Sequence, residues 1–294
     1  MGWYMKIAVL VACHNRVSTT LSCLRALFES WEQVKSHRDY GSDLTLDLFL
    51  VDDGSSDGTG VSVQKWIDSV SLSTDGAFRG RVIYGEGLWY WSKSMAQAWR
   101  TAIDYENTAL GRFDFFLWLN DDVDLEPMGL VTLLDDTINT KYGVVAGACG
   151  IKRDDTWVMT YGAMDLRYRK MCPTGKSECI DGWFTGNVLL VPRAVFKEIG
   201  IISSDYSHAY GDIDYAMRLK RRRIPFYASS NYVGVCAYGP VNKIKEWPLL
   251  RRLPLLFIPS MWNLRDVWIF QNKYYNPFRA VAYCLHRIYI VLRG

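Results

Sequence analysis

Two hydrophobic patterns alternate along the first half of the chain. Continuous apolar runs, typical of strands buried on both faces, predict strands at residues 6–13, 44–51, 81–84 and 113–119. Apolar residues at helical spacing between these runs predict helices at 18–33, with Ser18 as N-cap, and at 60–70 and 92–105. This order of elements favours parallel strands joined by right-handed crossovers. Ligands of such sheets bind beyond the carboxyl ends of the strands.

The second half of the chain is less regular. Its apolar runs predict strands at 143–149, 157–161 and 187–191, a helix from Arg193, and an amphipathic helix at 212–222 after the loop 203–211. From Pro240 onward the sequence is punctuated by prolines. We therefore expect an α/β domain over residues 1–240, with a mainly parallel sheet and with halves at about 1–123 and 124–240, followed by a helical tail over 241–294.

Composition limits the function classes. The 294 residues are 49% apolar and 22% charged, which excludes wholesale disorder. Residues 241–294 hold nine Lys and Arg against two acidic residues, whereas the first 240 hold 25 Lys and Arg against 29 Asp and Glu. An acidic body with a basic tail argues against a nucleic-acid-binding protein and suits a tail that contacts an anionic surface. The aromatic content of 14% suits bases and sugar rings as well as an ordinary core.

The cysteines and the apolar runs bear on the compartment. Seven scattered cysteines without a CxxC pair argue against a disulfide framework or a zinc site and favour a reducing compartment. The apolar run near the N-terminus has only seven residues and no run reaches 18, so neither a signal segment nor a membrane span is expected. These features predict a cytoplasmic protein.

Polar clusters follow three of the predicted strands. They are His14-Asn15-Arg16, Asp52-Asp53 and Asn120-Asp121-Asp122. Because the carboxyl ends of parallel strands share one edge of a sheet, we expect these loops to converge. Adjacent carboxylates repel each other unless a cation or hydrogen-bond donors hold them, so the third cluster predicts a divalent cation whose remaining ligands come from a diphosphate. The alternative for the same cluster is a capped turn.

The other candidate residues each have a functional and a structural interpretation. Asp53 can accept hydrogen bonds from a base or a ribose, or form an Asx-turn before the next helix. Arg16 can clamp a phosphate or lie solvated in a loop. The aromatic residues of 84–93 can stack on a base or a sugar, or anchor the core. Asp212, at the start of a helix, can serve as a general base or as an N-cap, whereas residues 218–223 are expected to form a solvated helix face.

Six motifs at strand ends carry a resemblance to a known family. They are ACHNR at 12–16, LVDDGSSDGT at 50–59, GEGLWYW at 85–91, WLNDDV at 118–123, GNVLLVPR at 186–193 and GDIDYAMRL at 211–219. In this order they resemble a family-2 glycosyltransferase with the GT-A fold. The chain looks most like the small bacterial branch, rhamnosyltransferases among them, that builds O-antigen and capsular polysaccharides. The resemblance extends from Lys6 to about Pro240.

The resemblance implies a role for each matching residue. Asp122 matches the metal-ligand position of the family's DxD-type motif, although Asn120 replaces its usual first Asp. Asp212 matches the catalytic base, although Gly211 replaces the Glu that precedes it in many relatives. The residues that the resemblance assigns to the donor are His14, Asn15, Arg16, Asp53, Trp91, Lys93, Asn120 and Asp121. Those that it assigns to the acceptor are Trp183, Gly186, Asn187 and His208.

The chemistry that the resemblance implies is a single displacement that inverts the anomeric carbon. Asp212 deprotonates a hydroxyl of a glycan or a lipid-linked glycan, and Mg²⁺ or Mn²⁺ at Asp122 neutralises the nucleoside diphosphate that leaves. The first donor expected is dTDP-rhamnose, followed by UDP-galactofuranose or another UDP-hexose. The alternatives are a nucleotidyltransferase, whose GxGxRxxP-like loop is absent after the first strand, and a non-catalytic glycan-binding module.

Apolar and basic residues are interleaved in the tail. Lys243, Lys245, Arg251 and Arg252 lie among apolar residues, and apolar residues recur at helical spacing over 278–292. Such a segment predicts peripheral attachment to the inner face of the cytoplasmic membrane, where a lipid-linked acceptor is presented. The alternative is that the tail packs on the catalytic domain or on a second subunit in a homodimer.

Overall fold

The structure, a computed structural model, describes residues 5–37, 40, 44–107, 111–154, 156–239 and 246–293. Its first half follows the predicted order of elements. Four parallel strands lie in the order β3-β2-β1-β4; they are β1 (Met5–Cys13), β2 (Leu44–Asp52), β3 (Phe78–Tyr84) and β4 (Phe115–Leu119). The helices between them are α1 (Val17–Ser36), α2 (Thr59–Ser73) and α3 (Tyr90–Tyr105).

Strand β1 shows why the centre of this sheet needs a continuous apolar run. Ile7 and Val9 belong to the core cluster that α1 and α2 complete, whereas Ala8 and Leu10 belong to the cluster that α3 completes. All four side chains are fully buried. Because helices cover both faces of the sheet, neither set of alternating positions can be polar.

The second half adds strands to the same sheet, mostly in antiparallel pairs. Its strands are β5 (Asp124–Leu125), β6 (Val144–Arg153), β7 (Thr156–Tyr161), β8 (Ala163–Met164), β9 (Glu178–Cys179), β10 (Trp183–Phe184), β11 (Val188–Pro192) and β12 (Phe226–Val235). Its helices are α4 (Gly129–Asn139), α5 (Arg193–Ile199) and α6 (Gly211–Arg221). The sheet continues in the order β4-β11-β6-β12-β5, in which β12 is parallel to β6 and the other neighbours are antiparallel. Strands β8 and β10 form a separate two-stranded sheet. The predicted α/β fold with a flanked central sheet is confirmed.

The structure differs from the sequence pattern in two local features. The hydrophobic pattern does not predict β12, because its pairing with β6 shifts register twice around the polar residues 229–231. Ser18 is not the N-cap of α1, which begins one residue earlier at Val17. The N–H of Val17 donates to Asp57 Oδ2 at 3.2 Å, so the first turn of α1 is satisfied by the loop after β2 rather than by a local cap.

The tail is helical and packs on the α/β domain. It contains α7 (Leu249–Arg252), a 3-10 turn (Leu253–Leu256), α8 (Leu264–Tyr274) and α9 (Pro277–Arg293). Helix α8 contacts α6 and the loop before it through a buried cluster of Tyr206, Tyr210, Val267 and Phe270. Within the described ranges, no helix has the length and apolar character needed to cross a bilayer. The expected boundary at Pro240, and Lys243 and Lys245, lie outside the described residues.

Candidate active site

The three polar loops predicted to converge do meet at one edge of the sheet. Arg16 bridges the adjacent carboxylates, with Nη1 at 3.2 Å from Asp121 Oδ1 and 3.2 Å from Asp122 Oδ2. Thr20 Oγ1 donates a further hydrogen bond to Asp121 Oδ2 at 3.3 Å. The convergence follows from strand register, because Cys13 pairs with Asp52 and β4 ends beside β1.

Asp121 and Asp122 differ in their environment. Burial raises the pKa of Asp121 to about 6, even though Arg16 acts in the opposite direction. The side chain of Asp122 is 39% exposed, so it is the carboxylate of the pair that an incoming ligand can reach. On the protein side, Cys236 Sγ lies 3.8 Å from Asp122 Oδ1, a neighbour that no sequence motif indicates.

His14 and Asn15 join the first loop to the second. His14 Nδ1 donates to the carbonyl oxygen of Asp53 at 2.7 Å, and Asn15 Nδ2 donates to His14 Nε2 at 2.9 Å. Asn15 also accepts from the N–H of Ser56 at 2.8 Å, and its own N–H donates to Ser55 Oγ at 2.8 Å. These bonds fix the shape of the loops after β1 and β2, and a donor contact by either residue stays a prediction.

The carboxylate of Asp53 organises the aromatic loop. Its Oδ1 accepts from the N–H of Gly87 at 2.8 Å, and its Oδ2 accepts from the N–H groups of Trp89 at 2.9 Å and Tyr90 at 2.8 Å. The buried carboxylate thus lies at the N-terminus of α3, where the free N–H groups and the helix dipole stabilise its charge. Recognition of a base by Asp53 stays a prediction, and it requires a contact in addition to these three.

Trp91, at the start of α3, contacts the end of β4. Its Nε1 donates to Asn120 Oδ1 at 2.8 Å, and its ring packs edge-on against Trp118. A Cβ at Gly186 would lie 2.5 Å from the Trp91 ring, so this close approach requires glycine. Lys93, two residues further along α3, is exposed.

Asp212 lies in the first turn of α6 at the same edge. Its Oδ2 accepts from the N–H of Gly186 at 3.0 Å, and its Oδ1 accepts from the N–H of Ile213 at 2.8 Å. Burial raises the pKa of this carboxyl group, although both main-chain donors act against the shift. The neighbouring Asn187 accepts from the N–H of Asn120 through its carbonyl oxygen at 2.9 Å, so Asp212 and the acidic cluster are linked through two short chain segments.

Asp214, two residues after Asp212, faces the opposite way. This fully buried carboxylate pairs with Arg218 Nε at 2.9 Å and with Lys273 Nζ at 2.6 Å. The hydroxyl of Tyr274 also donates to it, at 2.7 Å. Arg218 further donates to two main-chain carbonyls, so the expectation that residues 218–223 form a solvated face is wrong at this position.

The residues that the resemblance assigns to the acceptor surround Asp212 unevenly. Gly186 contacts Asp212 directly, and Asn187 is buried beside Cys236, with Nδ2 at 3.9 Å from Sγ. Trp183 is half-buried, and the exposed ring of Tyr168 packs edge-on against it, with 4.6 Å between the ring centroids. His208 lies in the loop 203–210; burial and the charge of Arg16 lower its pKa, whereas the charge of Asp266 raises it.

The carboxylates at the edge suit a metal ion that takes most of its ligands from elsewhere. Within the part of the chain that the structure describes, no three His, Cys, Asp or Glu side chains converge to hold a metal ion by themselves. Asp122 nevertheless offers hard oxygen ligands on an accessible side, which suits Mg²⁺ or Mn²⁺ that takes its other ligands from a diphosphate and water. Any such ion must share Asp122 with Arg16 or displace it.

The chain is similar to known proteins in both sequence and fold. The model for glycosyl transferase family 2 matches residues 8–189, more than half of the chain. The solved structure of the mannosyltransferase PcManGT from Pyrobaculum calidifontis, in complex with GDP-Man and Mn²⁺, is similar with a TM-score of 0.57 at 15% identity, over 98% of this chain and 70% of that chain. A structure of S. aureus TarS 1–349 in complex with UDP has a TM-score of 0.49 at 12% identity, over 92% of this chain and 72% of that chain. No curated protein gives a significant match.

The family match and the structural similarity cover different lengths of the chain. The matched residues include all three polar loops and Gly186 but stop before Asp212, whereas the similarity to the mannosyltransferase structure shows that nearly the whole chain shares its fold. The chain belongs to glycosyl transferase family 2, and it is a glycosyltransferase.

Proposed function

We propose that this glycosyltransferase transfers a sugar from a nucleoside-diphosphate sugar to a glycan hydroxyl, with inversion and with the help of Mg²⁺ or Mn²⁺. One observation carries the proposal: an acidic cluster bridged by Arg16 and a separate carboxylate, which accepts hydrogen bonds from main-chain N–H groups, share one edge of the sheet. The first group suits a diphosphate with its metal, and the second suits a proton acceptor. The complex of the similar mannosyltransferase with GDP-Man and Mn²⁺ supports the same pairing of ligands.

On the donor side, Asp122 is the residue that would hold the metal, and Arg16 is the cation nearest to it. When bound, the metal supplies charge neutralisation for the leaving diphosphate. Arg16 has a planar guanidinium that bridges two carboxylates here and can bridge two phosphate oxygens in the same way. The hydrogen bonds of Asp53 and Trp91 hold the aromatic loop in place, and this loop would form part of the surface that contacts the nucleotide.

On the acceptor side, Asp212 would accept the proton of the attacking hydroxyl. The raised pKa brings the carboxylate closer to the basicity that proton transfer requires. Gly186 and Ile213 donate to it through the main chain, so its position depends on backbone geometry rather than on a mobile side chain. We place the acceptor sugar against Gly186, Asn187, Trp183 and His208.

The donor sugar is open to a direct experiment. A thermal-shift screen with Mn²⁺ would compare dTDP-rhamnose, UDP-galactofuranose, other UDP-hexoses and GDP-mannose, because a ligand at 100 times its dissociation constant stabilises by about 2.7 kcal/mol. The best donor would then be assayed for release of the nucleoside diphosphate with Mg²⁺ or Mn²⁺ and with a chelator. We expect metal-dependent release, with dTDP-rhamnose as the first candidate donor.

The same assay separates the alternatives. A nucleotidyltransferase would consume a nucleoside triphosphate and release pyrophosphate rather than a nucleoside diphosphate. A glycan-binding module would bind oligosaccharides and release neither product. Either outcome would contradict the proposed transfer reaction.

We also place the enzyme on the inner face of the cytoplasmic membrane, in synthesis of a bacterial surface polysaccharide. Helix α9 exposes an apolar stripe of Phe278, Val281, Leu285, Tyr289 and Leu292. On a helical projection Arg279, His286 and Arg293 flank this stripe on one side, while Ala280 and Val291 on the other side are buried against the protein. An apolar stripe beside basic residues suits anionic lipid better than a second protein surface.

Liposome flotation tests the membrane contact. Vesicles with anionic lipid should carry the wild-type protein and release it as salt is raised, whereas neutral vesicles should not. Phe278→Glu combined with Leu285→Glu should abolish flotation, and Leu72→Glu, at an exposed leucine of α2, is the matched control. A parent that never floats but forms a dimer that the double variant breaks would contradict the membrane proposal and assign the stripe to a subunit interface.

A further inference from the structure

A buried carboxylate of the tail is bonded to the loop that precedes Asp212. Asp266 lies in the first turn of α8 and has no exposed surface. Its Oδ2 accepts from the N–H of Ser207 at 3.0 Å, from Ser207 Oγ at 2.6 Å and from the N–H of His208 at 3.3 Å. Three donors from two consecutive loop residues thus converge on one oxygen of a side chain 58 or 59 positions away.

The same two residues also contact the catalytic side. The carbonyl oxygen of Ser207 accepts from the N–H of Ser92 at 3.1 Å, in the first turn of α3 next to Trp91. His208 is near enough to Arg16 for its pKa to be lowered by that charge, after the larger effect of burial. The chain then continues through Tyr210, at a left-handed φ of 70°, into α6 and Asp212. The loop therefore extends from the tail to the donor cluster and to Asp212.

We propose that Asp266 is a positioning residue that sets the loop 203–210, and with it His208 and the entry to Asp212, in its working geometry. The part of this proposal that concerns turnover depends on the proposed glycosyl transfer, whereas the part that concerns the loop does not. The helical tail is then a component of the active site and not an appended membrane anchor alone.

The chemistry of the contact explains why a carboxylate is needed. Ser207 and His208 present three donors to one place, and an ionised carboxylate can accept all three without offering a donor of its own. An Asn at this position keeps the shape but removes the negative charge, and its amide group is held less strongly by the same donors. Donors that are left without a partner in a buried site favour a rearranged loop.

The test compares two variants of the tail. Asp266→Asn removes the charge on the loop. Ser260→Ala is the matched control, since Ser260 is also buried in the tail, and its hydroxyl, the group that the substitution removes, donates to the carbonyl oxygen of Leu255 and accepts from the N–H of Trp262. Three quantities are measured for each: amide hydrogen exchange of residues 203–210, the NMR titration of the His208 imidazole assigned with His208→Gln, and donor hydrolysis with Mn²⁺ and the donor found in the screen.

For Asp266→Asn we expect loop amides to exchange at least about tenfold faster and the pKa of His208 to differ from its wild-type value, because both the charge of Asp266 and the burial of the loop act on it. We expect turnover to fall about tenfold with little change in KM for the donor, since the donor cluster does not contact Asp266. Ser260→Ala should lower Tm and leave all three quantities unchanged.

Two results would overturn the inference: wild-type exchange and His208 titration in Asp266→Asn, or the same changes in Ser260→Ala. If Asp266→Asn does not fold, Ser207→Ala removes one of the three donors while leaving the tail intact and should show smaller changes of the same kind. Altered exchange and titration in a protein that releases no nucleoside diphosphate from any donor would contradict the proposed function and leave the role of Asp266 standing.

Discussion

The donor side and the acceptor side of the sheet edge hold their carboxylates in opposite ways. On the donor side, Arg16 compensates the charges of Asp121 and Asp122 directly. On the acceptor side, the contacts found for Asp212 in the described chain are main-chain N–H groups, and the nearby cations Arg218 and Lys273 pair with Asp214 on the other side of α6. Among the described residues, a cation is thus available where a diphosphate would arrive, whereas the two cations of α6 and α8 pair with Asp214 rather than with Asp212.

This difference supports the roles that we propose. Burial raises the pKa of Asp212, and the hydrogen bonds that oppose this shift come from the main chain; burial also raises the pKa of Asp121, but there the charge of Arg16 opposes the shift. A general base benefits from that shift, and a metal-ligand carboxylate does not need it. The 39% exposed side chain of Asp122 can exchange Arg16 for another cation, because surface ion pairs contribute little free energy.

The largest effect is expected on the donor side. Asp122→Asn should reduce metal-dependent transfer to background and weaken binding of the nucleoside diphosphate with Mn²⁺, because the ion loses its protein ligand. The variant should stay folded, since this side chain is partly exposed and its loss creates no cavity. Calorimetric titration of the nucleotide with Mn²⁺, together with the release assay, measures both quantities. Near-normal activity of Asp122→Asn in the presence of a chelator would show that the metal interpretation is wrong.

A loss of turnover without a loss of donor affinity is expected on the acceptor side. Asp212→Asn should lower turnover roughly 10²–10⁴-fold or more, because no group remains to accept the hydroxyl proton. The control is Asp214→Asn, which should instead lower the free energy of unfolding by about 2 kcal/mol, as Lys273 and Arg218 lose a buried partner but are themselves partly exposed. If Asp212→Asn loses nucleotide binding, Asp212 belongs to the nucleotide site; if the variant loses only stability, Asp212 has a structural role in the first turn of α6.

A smaller effect, on the affinity for Mn²⁺, is expected when Arg16 is replaced. Arg16→Gln should tighten Mn²⁺ binding to the protein without nucleotide by about threefold, because an exposed competing cation is removed. The same variant should bind the nucleoside diphosphate more weakly, because one phosphate partner is lost. Electron paramagnetic resonance of free Mn²⁺ measures the first change, with Arg25→Gln, at an exposed position of α1, as control. Unchanged Mn²⁺ affinity would mean that Arg16 and the ion do not share Asp122.

The sequence is most informative about the parallel half of the fold. The second strand is predicted at 44–51 and observed at Leu44–Asp52, because both of its faces are buried and its apolar run is unbroken. Strand β3 is three residues longer at its start than predicted, since Arg79 pairs with Asp47 and a charged residue interrupts the apolar run. The antiparallel half has more polar residues within its strands, as at 229–231 of β12, and local patterns fail there.

The candidate site divides in the same way. Asp122 and Arg16 can be found from sequence because each follows a strand, and topology then brings their loops together. Asp266 cannot be found in this way, because its partners are 58 and 59 positions away and its local pattern is that of an ordinary residue in a first helical turn. Such contacts depend on how the tail packs, which no local pattern encodes.

The pH dependence of nucleoside-diphosphate release tests the central claim most directly. Asp212 must be deprotonated to act, and burial raises its pKa, so the rate should rise with pH through a midpoint above the ordinary aspartate value and then level off. In Asp212→Asn the residual rate should lose this acid limb, while Asp214→Asn should keep it. An acid limb that persists in Asp212→Asn with the same midpoint as in wild type, or one in wild type at the ordinary aspartate value, would contradict the assignment of Asp212 as the general base.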